Sequence, residues 1–173
     1  PLSAIGNFYQ GGVVFYIFVD GDPGYVDGET HGLIAAVEDQ SSGIRWHNGS
    51  YTYTGATATT IGTGSANTNA IINRQGDTET SYAAGVARAY TGGGYSDWFL
   101  PSKDELNIMY TNKATINTTA SANGGSDITT NYHWSSSEYD IFDSKAYRQG
   151  FTSGGQSTKD KDKTYYVRAV RAF

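Results

Sequence analysis

The sequence predicts an α+β domain with two to three helices gathered on one side of an antiparallel sheet. Three observations lead there. Glycine-bounded runs of β-branched and aromatic residues occupy both ends of the chain, helical spacing is confined to the middle, and no internal repeat emerges. A length of 173 residues suits one domain over 1–173, able to bury about two-thirds of its unfolded surface.

Gly12 to Val19 reads as a buried strand, bounded by Gly11-Gly12 and by Asp20-Gly21-Asp22-Pro23-Gly24. His31 to Val37 repeats the pattern, so the two predict a hairpin whose loop spans Asp20 to Thr30. From Ser41 to Gly64 the chain is Thr, Gly, Tyr and Ser around Trp46, and is taken as irregular or short-stranded. Asn67 and Thr68 are N-cap types ahead of Ala70, Ile71 and Ile72, and Gly76 closes that segment. A second helix is predicted from Glu79 to Tyr90, where Tyr82, Val86 and Tyr90 recur beside alanines. Ser102 and Glu105 form a capping box ahead of Leu106, Met109 and Tyr110, fed by a strand from Asp97 to Leu100. Beyond Asn112 the composition predicts a loop through Ser126. Three strands are then expected, Tyr132 to Glu138, Ala146 to Phe151 and Thr164 to Ala172.

Composition closes off several chemistries. There is no Cys, which removes disulfide frameworks, Cys-ligated metals and thiol catalysis. Charged residues make up 17%, below the roughly 25% of an average domain, and 20 Thr, 16 Ser and 10 Asn supply a neutral, hydrogen-bonding surface. The net charge of −5 and the lack of a Lys/Arg cluster argue against nucleic acid as a partner. No apolar run reaches a membrane span, and a chain beginning at Pro1 is expected of a trimmed or processed protein.

Catalytic constellations are scarce. His31, His47 and His133 sit in no metal-ligand spacing, no nucleophile elbow is present, and Gly92-Gly93-Gly94 lacks the Lys of a phosphate loop. Asp20, Asp22, Asp27 and Glu29 share one loop, but the spacing departs from the calcium-binding pattern and a hairpin turn is the preferred reading. Lys159-Asp160-Lys161-Asp162-Lys163 is expected to be an exposed turn. What remains is a run from Tyr132 to Tyr166 rich in rings and small polar residues, a composition like that of antibody paratopes. Within it Ile141 and Phe142 stand in otherwise solvated sequence, either as core or as contacts.

Five motifs, Gly11-Gly12-Val13-Val14-Phe15, His31-Gly32-Leu33-Ile34-Ala35-Ala36, Gly94 to Ser102, Trp134-Ser135-Ser136-Ser137-Glu138 and Val167 to Phe173, resemble the C-terminal domain of collagen-like bacterial adhesins. The resemblance spans nearly the whole chain and implies a C-type-lectin-like fold. The last forty or so residues, ending in Arg-Ala-Val-Arg-Ala-Phe, further resemble the variable region of proteins diversified by a retroelement, in which template adenines are miscopied. That likeness makes 132–166 a candidate variable region. It implies ligand-binding positions at His133, Tyr139, Asp140, Ile141, Phe142, Asp143, Ser144, Tyr147, Arg148, Gly150, Thr152, Ser153, Gly155, Ser157, Thr158, Asp160, Asp162, Thr164 and Tyr165. None of these is Lys, Glu, Gln, Trp or Met. Trp134, Glu138, Ala146, Gln149, Phe151, Gln156, Val167 and Val170 would form the buried frame beneath them.

The implied protein binds rather than catalyses, as a phage-tail or bacterial-surface module, extracellular and without cofactor. Its partner would be a protein or glycan receptor on a target cell, with any homo-oligomer formed through the parent protein and no direct membrane insertion. The alternative is a carbohydrate or glycosaminoglycan adhesin of fixed specificity. The Glu-Pro-Asn and Trp-Asn-Asp triplets of calcium-dependent lectins are absent, as are the cysteines of formylglycine-generating enzymes of that fold.

Overall fold

In the computed structural model, which describes residues 1–76 and 79–173, the glycine-bounded strands pair as their patterns require. β1 (Phe8–Tyr9), β2 (Gly12–Ile17), β3 (Gly32–Ala36) and β9 (Val170–Ala172) form an antiparallel sheet in the order β1-β2-β3-β9. Gly11 takes φ 88° and lies against the Gly93 backbone, so close that a Cβ there would fall 2.5 Å from the Gly93 Cα.

A second sheet holds β4 (Ser41–Arg45), β5 (Tyr132–Glu138), β6 (Lys145–Gly150), β7 (Gln156–Asp160) and β8 (Thr164–Val167), in the order β4-β8-β5-β6-β7. The expected single antiparallel sheet is therefore two sheets among the described residues, and the second is mixed, because β8 runs parallel to β5 where His133 meets Tyr166. The strand expected over Thr164 to Ala172 splits at Arg168 and Ala169, one half joining each sheet. Arg168 is the cause. Its side chain is buried and turns to Asp39, 2.8 Å away, and to the carbonyls of Ala36 and Ser126, while the Ala169 N–H donates to Gln40. β7 overlaps the expected turn of Lys159 to Lys163 only at Lys159 and Asp160 and is otherwise a strand that the sequence does not predict. Its full register with β6, from Lys145 opposite Asp160 to Gln149 opposite Gln156, makes it a strand.

Four α-helices are described: α1 (Gly64–Gln75), α2 (Ala83–Ala89), α3 (Lys103–Thr111) and α4 (Lys113–Ala122). Asn67 and Thr68, expected as caps, lie buried inside α1. Asn67 donates to the Ala58 carbonyl and Thr68 accepts from the Leu100 N–H, so cap-type side chains here hold neighbouring segments. The predicted Glu79–Tyr90 helix shortens to α2 because Tyr82 and Tyr90 adopt extended backbone at its ends. The Ser102–Glu105 capping box is present at α3. The strand expected at Asp97 to Leu100 reduces to a bridge between Phe99 and Val170. α4 replaces the loop expected after Asn112, because Ile116 and Ala120, four apart, bury one face.

Two apolar clusters result. Trp46, Ile71, Tyr82, Trp98, Trp134 and Val167 fill one, between α1, α2 and the five-stranded sheet. Val13, Phe15, Leu106, Met109, Ile116 and Phe151 fill the other, beneath α3 and α4.

Candidate ligand-binding surface

The β5–β6 hairpin carries most of the candidate positions, and its sequence explains its placement. Ser135, Ser136 and Ser137 are small enough to lie fully buried, and each bonds a neighbour: Ser135 Oγ donates to Tyr147 O, Ser136 N–H to Pro101 O and Ser137 Oγ to Ala58 O. The loop beyond closes through Tyr139 N–H to Lys145 O and Lys145 N–H to Phe142 O. Ile141 and Phe142 project from it, 67% and 53% exposed. They are not core. Tyr139 lies 6.0 Å from the Phe142 ring and 5.8 Å from the Tyr147 ring, and the Lys103 ammonium sits 5.0 Å above Tyr147. Burial, with Tyr139 and Asp140 nearby, pushes the Tyr147 hydroxyl up, so it stays protonated.

Beneath this tip Glu138 and Lys161 form a fully buried ion pair. Glu138 accepts the N–H groups of Thr54 and Gly55, and Lys161 donates to Thr52 O and lies 4.6 Å from the Trp46 ring. Lys161 thus corrects the expectation of a wholly exposed charged turn at 159–163. Burial draws its ammonium down from the usual lysine range, opposed by Glu138 and Asp143. The pair also fixes the segment 51–54, where Tyr51 and Tyr53 are exposed and Thr52 and Thr54 half-buried. Both tyrosines escaped the sequence reading. The Tyr-Thr-Tyr-Thr alternation was the available signal.

A second aromatic group lies where β8, β5 and β6 adjoin. The Arg148 guanidinium sits 3.6 Å from the Tyr132 ring centroid and 4.8 Å from that of Tyr165, donating to the Tyr165 hydroxyl and to Ser157. Arg148 is thereby held between two rings. Thr164 and Ser157 are exposed alongside.

The remaining positions divide. Asp140, Asp143 and Asp162 are exposed and Ser144 half-buried around the hairpin tip, whereas Thr152, Ser153 and Gly155 line the exposed β6–β7 turn at the opposite end of β6. Thr158 pairs with Tyr147, and Asp160 pairs with Lys145 at 2.7 Å. That hydrogen bond is the main force holding the Asp160 carboxyl below the usual range. His133 and Gly150 correct the display reading. His133 is fully buried between Phe151 and Tyr166, with Nε2 3.5 Å from Asp39, because its register with Gln149 turns it inward. Gly150 is buried with Tyr132 packed over it, so that a Cβ would lie 3.0 Å from that ring.

The frame residues behave as frame. Trp134, Glu138, Ala146, Gln149, Phe151, Val167 and Val170 are buried, and half-buried Gln156 donates to Lys103 O and Gln149 Oε1. Elsewhere the acidic loop of Asp20 to Glu29 is a hydrogen-bonded turn: Asp22 accepts from the Tyr16 hydroxyl and the Val19 N–H, and Glu29 pairs with His31. Burial and Asp22 push Tyr16 to about 12. Among the described residues no three His, Cys, Asp or Glu side chains converge as a metal site, and no helix is long and apolar enough to cross a membrane. A cleft of about 340 Å³ lies between Glu38, Asp39 and Gln40 on one side and Val86 and Ala89 of α2 with Tyr90 on the other.

The aromatic loops thus stand on an α+β scaffold of two sheets whose buried frame is internally hydrogen-bonded. Residues 35–171 match the Lcl C-terminal domain, and the chain belongs to that family. Its fold is similar to that of a fimbrial protein from Bacteroides ovatus ATCC 8483, with a TM-score of 0.60 at 15% identity over 92% of this chain and 43% of that one. The chain thus spans less than half the length of that protein. No curated protein matches the sequence.

Proposed function

We propose that this domain is a non-enzymatic ligand-binding module of an extracellular, surface-displayed protein, built on a C-type-lectin-like fold and binding through the β5–β6 hairpin tip. The observation that carries this reading is the exposure of Ile141 and Phe142 on a loop anchored by buried polar pairs. Large apolar side chains are presented to solvent on a loop whose base is held by a buried ion pair. Tyr139, Phe142 and Tyr147 supply ring area at small entropic cost, the usual source of hot-spot energy. Membership of the Lcl C-terminal domain family and the likeness to a fimbrial protein support a surface adhesin role.

The finer reading is that the hairpin is diversified by a retroelement. Its support is that most of the implied variable positions lie exposed or half-buried over a buried frame, His133 and Gly150 excepted. Sequencing the DNA that flanks the gene tests it. A near-identical second copy of the region encoding Tyr132 to Phe173, differing at template adenines and beside a reverse-transcriptase gene, is the expected result. Its absence leaves an adhesin of fixed specificity. For that alternative, a glycan array read at low and high salt distinguishes sugar recognition by stacking from sulfated-glycan binding, whose signal falls with salt.

A further inference from the structure

We infer that the β7 edge of the second sheet binds an extended acidic protein segment, whose carboxylates meet Arg148 and Lys159. This rests on the reading of the domain as a ligand-binding module and adds to it a site apart from the hairpin tip, with a stated partner chemistry.

The charges of the sheet single out these two cations. Its strands hold six Asp, Glu, Lys and Arg residues: Arg45, Glu138, Lys145, Arg148, Lys159 and Asp160. Glu138 pairs with Lys161 and Lys145 with Asp160, whereas Arg45, Arg148 and Lys159 are in no ion pair among the described residues. In the turn beyond β7, Asp162 pairs with Lys163. The charge left over on the sheet is therefore positive. Arg45 stands on β4, at the far end of the strand order, and Arg148 and Lys159 stand on β6 and β7.

Arg148 and Lys159 share a face. Arg148 lies opposite Ser157 and donates to its hydroxyl, and Lys159 follows Ser157 by two residues, so the alternation of β7 turns all three to one side. Ser157 and Lys159 are exposed. Asp160, the one carboxylate of β7, falls on the other side, where Lys145 holds it. Tyr147, next to Arg148 in β6, also faces that other side, against the Lys103 ammonium. The Arg148 face is thus distinct from the ring group at the hairpin tip.

Arg148 is oriented for a carboxylate. Its guanidinium sits 3.6 Å from the Tyr132 ring centroid and 4.8 Å from that of Tyr165, and it donates to the Tyr165 hydroxyl and to Ser157. Its other N–H donors have no acceptor among the described residues. Held in place by rings and half-buried, it offers a carboxylate a fixed fork and only partial screening by water.

Two features make the occupant a protein segment. β7 ends the strand order β4-β8-β5-β6-β7, so no described strand pairs with its outer edge. An extended chain added there gains main-chain hydrogen bonds that a glycan cannot make. The second feature is charge. Two cations neutralise two anions, and each further sulfate of a glycan would meet, unpaired, a domain of net charge −5. Since Ser157 and Lys159 are two residues apart, acidic side chains are expected at alternate positions of the added strand, one reaching past Ser157 to Arg148 and one beside Lys159.

The test is selection of a phage-displayed library of random linear peptides on the immobilised chain, with selected clones then measured on variants. The expected result is a set of clones enriched in Asp and Glu at two-residue spacing, whose binding falls as salt rises. Arg148→Gln should lower their binding at least about tenfold with the melting temperature retained, and Arg148→Lys, which keeps the charge but not the fork, should recover only part of the loss. Lys159→Gln should give a smaller loss and a shallower salt dependence. Clones without acidic residues, or acidic clones indifferent to Arg148→Gln, overturn the inference. Retention of the chain on immobilised heparin at about 0.15 M salt, with no acidic clone recovered, overturns the protein partner in favour of a sulfated glycan. Clones lost on Phe142→Ala and unaffected by Arg148→Gln leave the hairpin-tip reading standing and overturn this one. No binding clone and no retention on heparin overturn both.

Discussion

Glu138 Oε2 and Lys161 Nζ meet 2.5 Å apart with both side chains wholly out of solvent, joining the end of β5 to the β7–β8 turn beneath the exposed aromatic loops. Desolvating two charges offsets most of their attraction, so the pair contributes position more than stability. Removing one partner is different, because it strands the other. Lys161→Met and Glu138→Gln should each cost about 3 to 5 kcal/mol in urea denaturation, and the double variant distinctly less than their sum. Single-variant costs below about 1 kcal/mol would mean that water reaches the pair.

A second buried cation, Arg168, sets the acid limit of the fold. It bonds Asp39 and the carbonyls that link the two sheets. Burial alone would raise the Asp39 carboxyl, but the His133 imidazole 3.5 Å away and the charge and hydrogen bond of Arg168 outweigh it and hold Asp39 below its usual value. A lowered carboxyl contributes stability above its unfolded value and loses it as pH falls through its folded value. Stability should therefore decline below about pH 4, and Asp39→Asn, less stable at neutral pH, should show a shallower decline. Glu105 acts in the opposite sense. Burial raises its carboxyl, so its contribution is fully present at low pH and is lost as pH rises through the raised value. Following wild type and Asp39→Asn by denaturation across pH isolates the Asp39 part. Parallel acid branches would refute it.

Phe142 and Trp134 are eight residues apart in one hairpin yet should answer Ala substitution oppositely. Phe142 is 53% exposed, so Phe142→Ala should change stability by no more than about 0.5 kcal/mol while weakening ligand binding. Trp134 is fully buried and donates its indole N–H to Ile44 O. Trp134→Ala should cost about 3 to 5 kcal/mol. A large drop in melting temperature for Phe142→Ala would return that ring to the core.

The sequence carried the strands and the frame further than it carried the helices. Val13 to Ile17 and Leu33 to Ala36 are nearly unbroken apolar runs, and the two strands they fill were legible for that reason. α4 was not, since Thr, Ser and Asn dominate it and Ile116 and Ala120 alone mark its buried face. Arg168 and Lys161 were unreadable for a different cause. A long cation in alternating sequence looks solvated until a distant carboxylate, Asp39 or Glu138, is brought against it, and no local pattern encodes that meeting. For the same reason His133 was placed outside. Tertiary pairing with Gln149 and Tyr166 decided its face.

The capping box at α3, read correctly from Ser102 and Glu105, holds more than a helix end. Glu105 Oε1 accepts the Ser102 N–H at 2.7 Å and Oε2 accepts the Gly62 N–H at 2.9 Å, with the side chain fully buried. One carboxylate thus fixes α3 to the turn that starts α1. Glu105→Ala should cost more than the about 0.5 to 2 kcal/mol of an ordinary cap, because two backbone donors lose their acceptor out of reach of water. Glu105→Gln keeps the shape but turns an amide NH₂ toward one of those donors, and should cost about 1 to 3 kcal/mol. Gly64 belongs to the same joint. A Cβ there would lie 2.2 Å from Glu105 Oε1 and 2.8 Å from the Phe99 ring, so Gly64→Ala should destabilise by about 1 to 3 kcal/mol. Because the two residues touch, the cost of Gly64→Ala should shrink in the Glu105→Ala background. Additive costs in urea denaturation would show that Phe99 and the Leu100 carbonyl, and not the carboxylate, set the limit at this position.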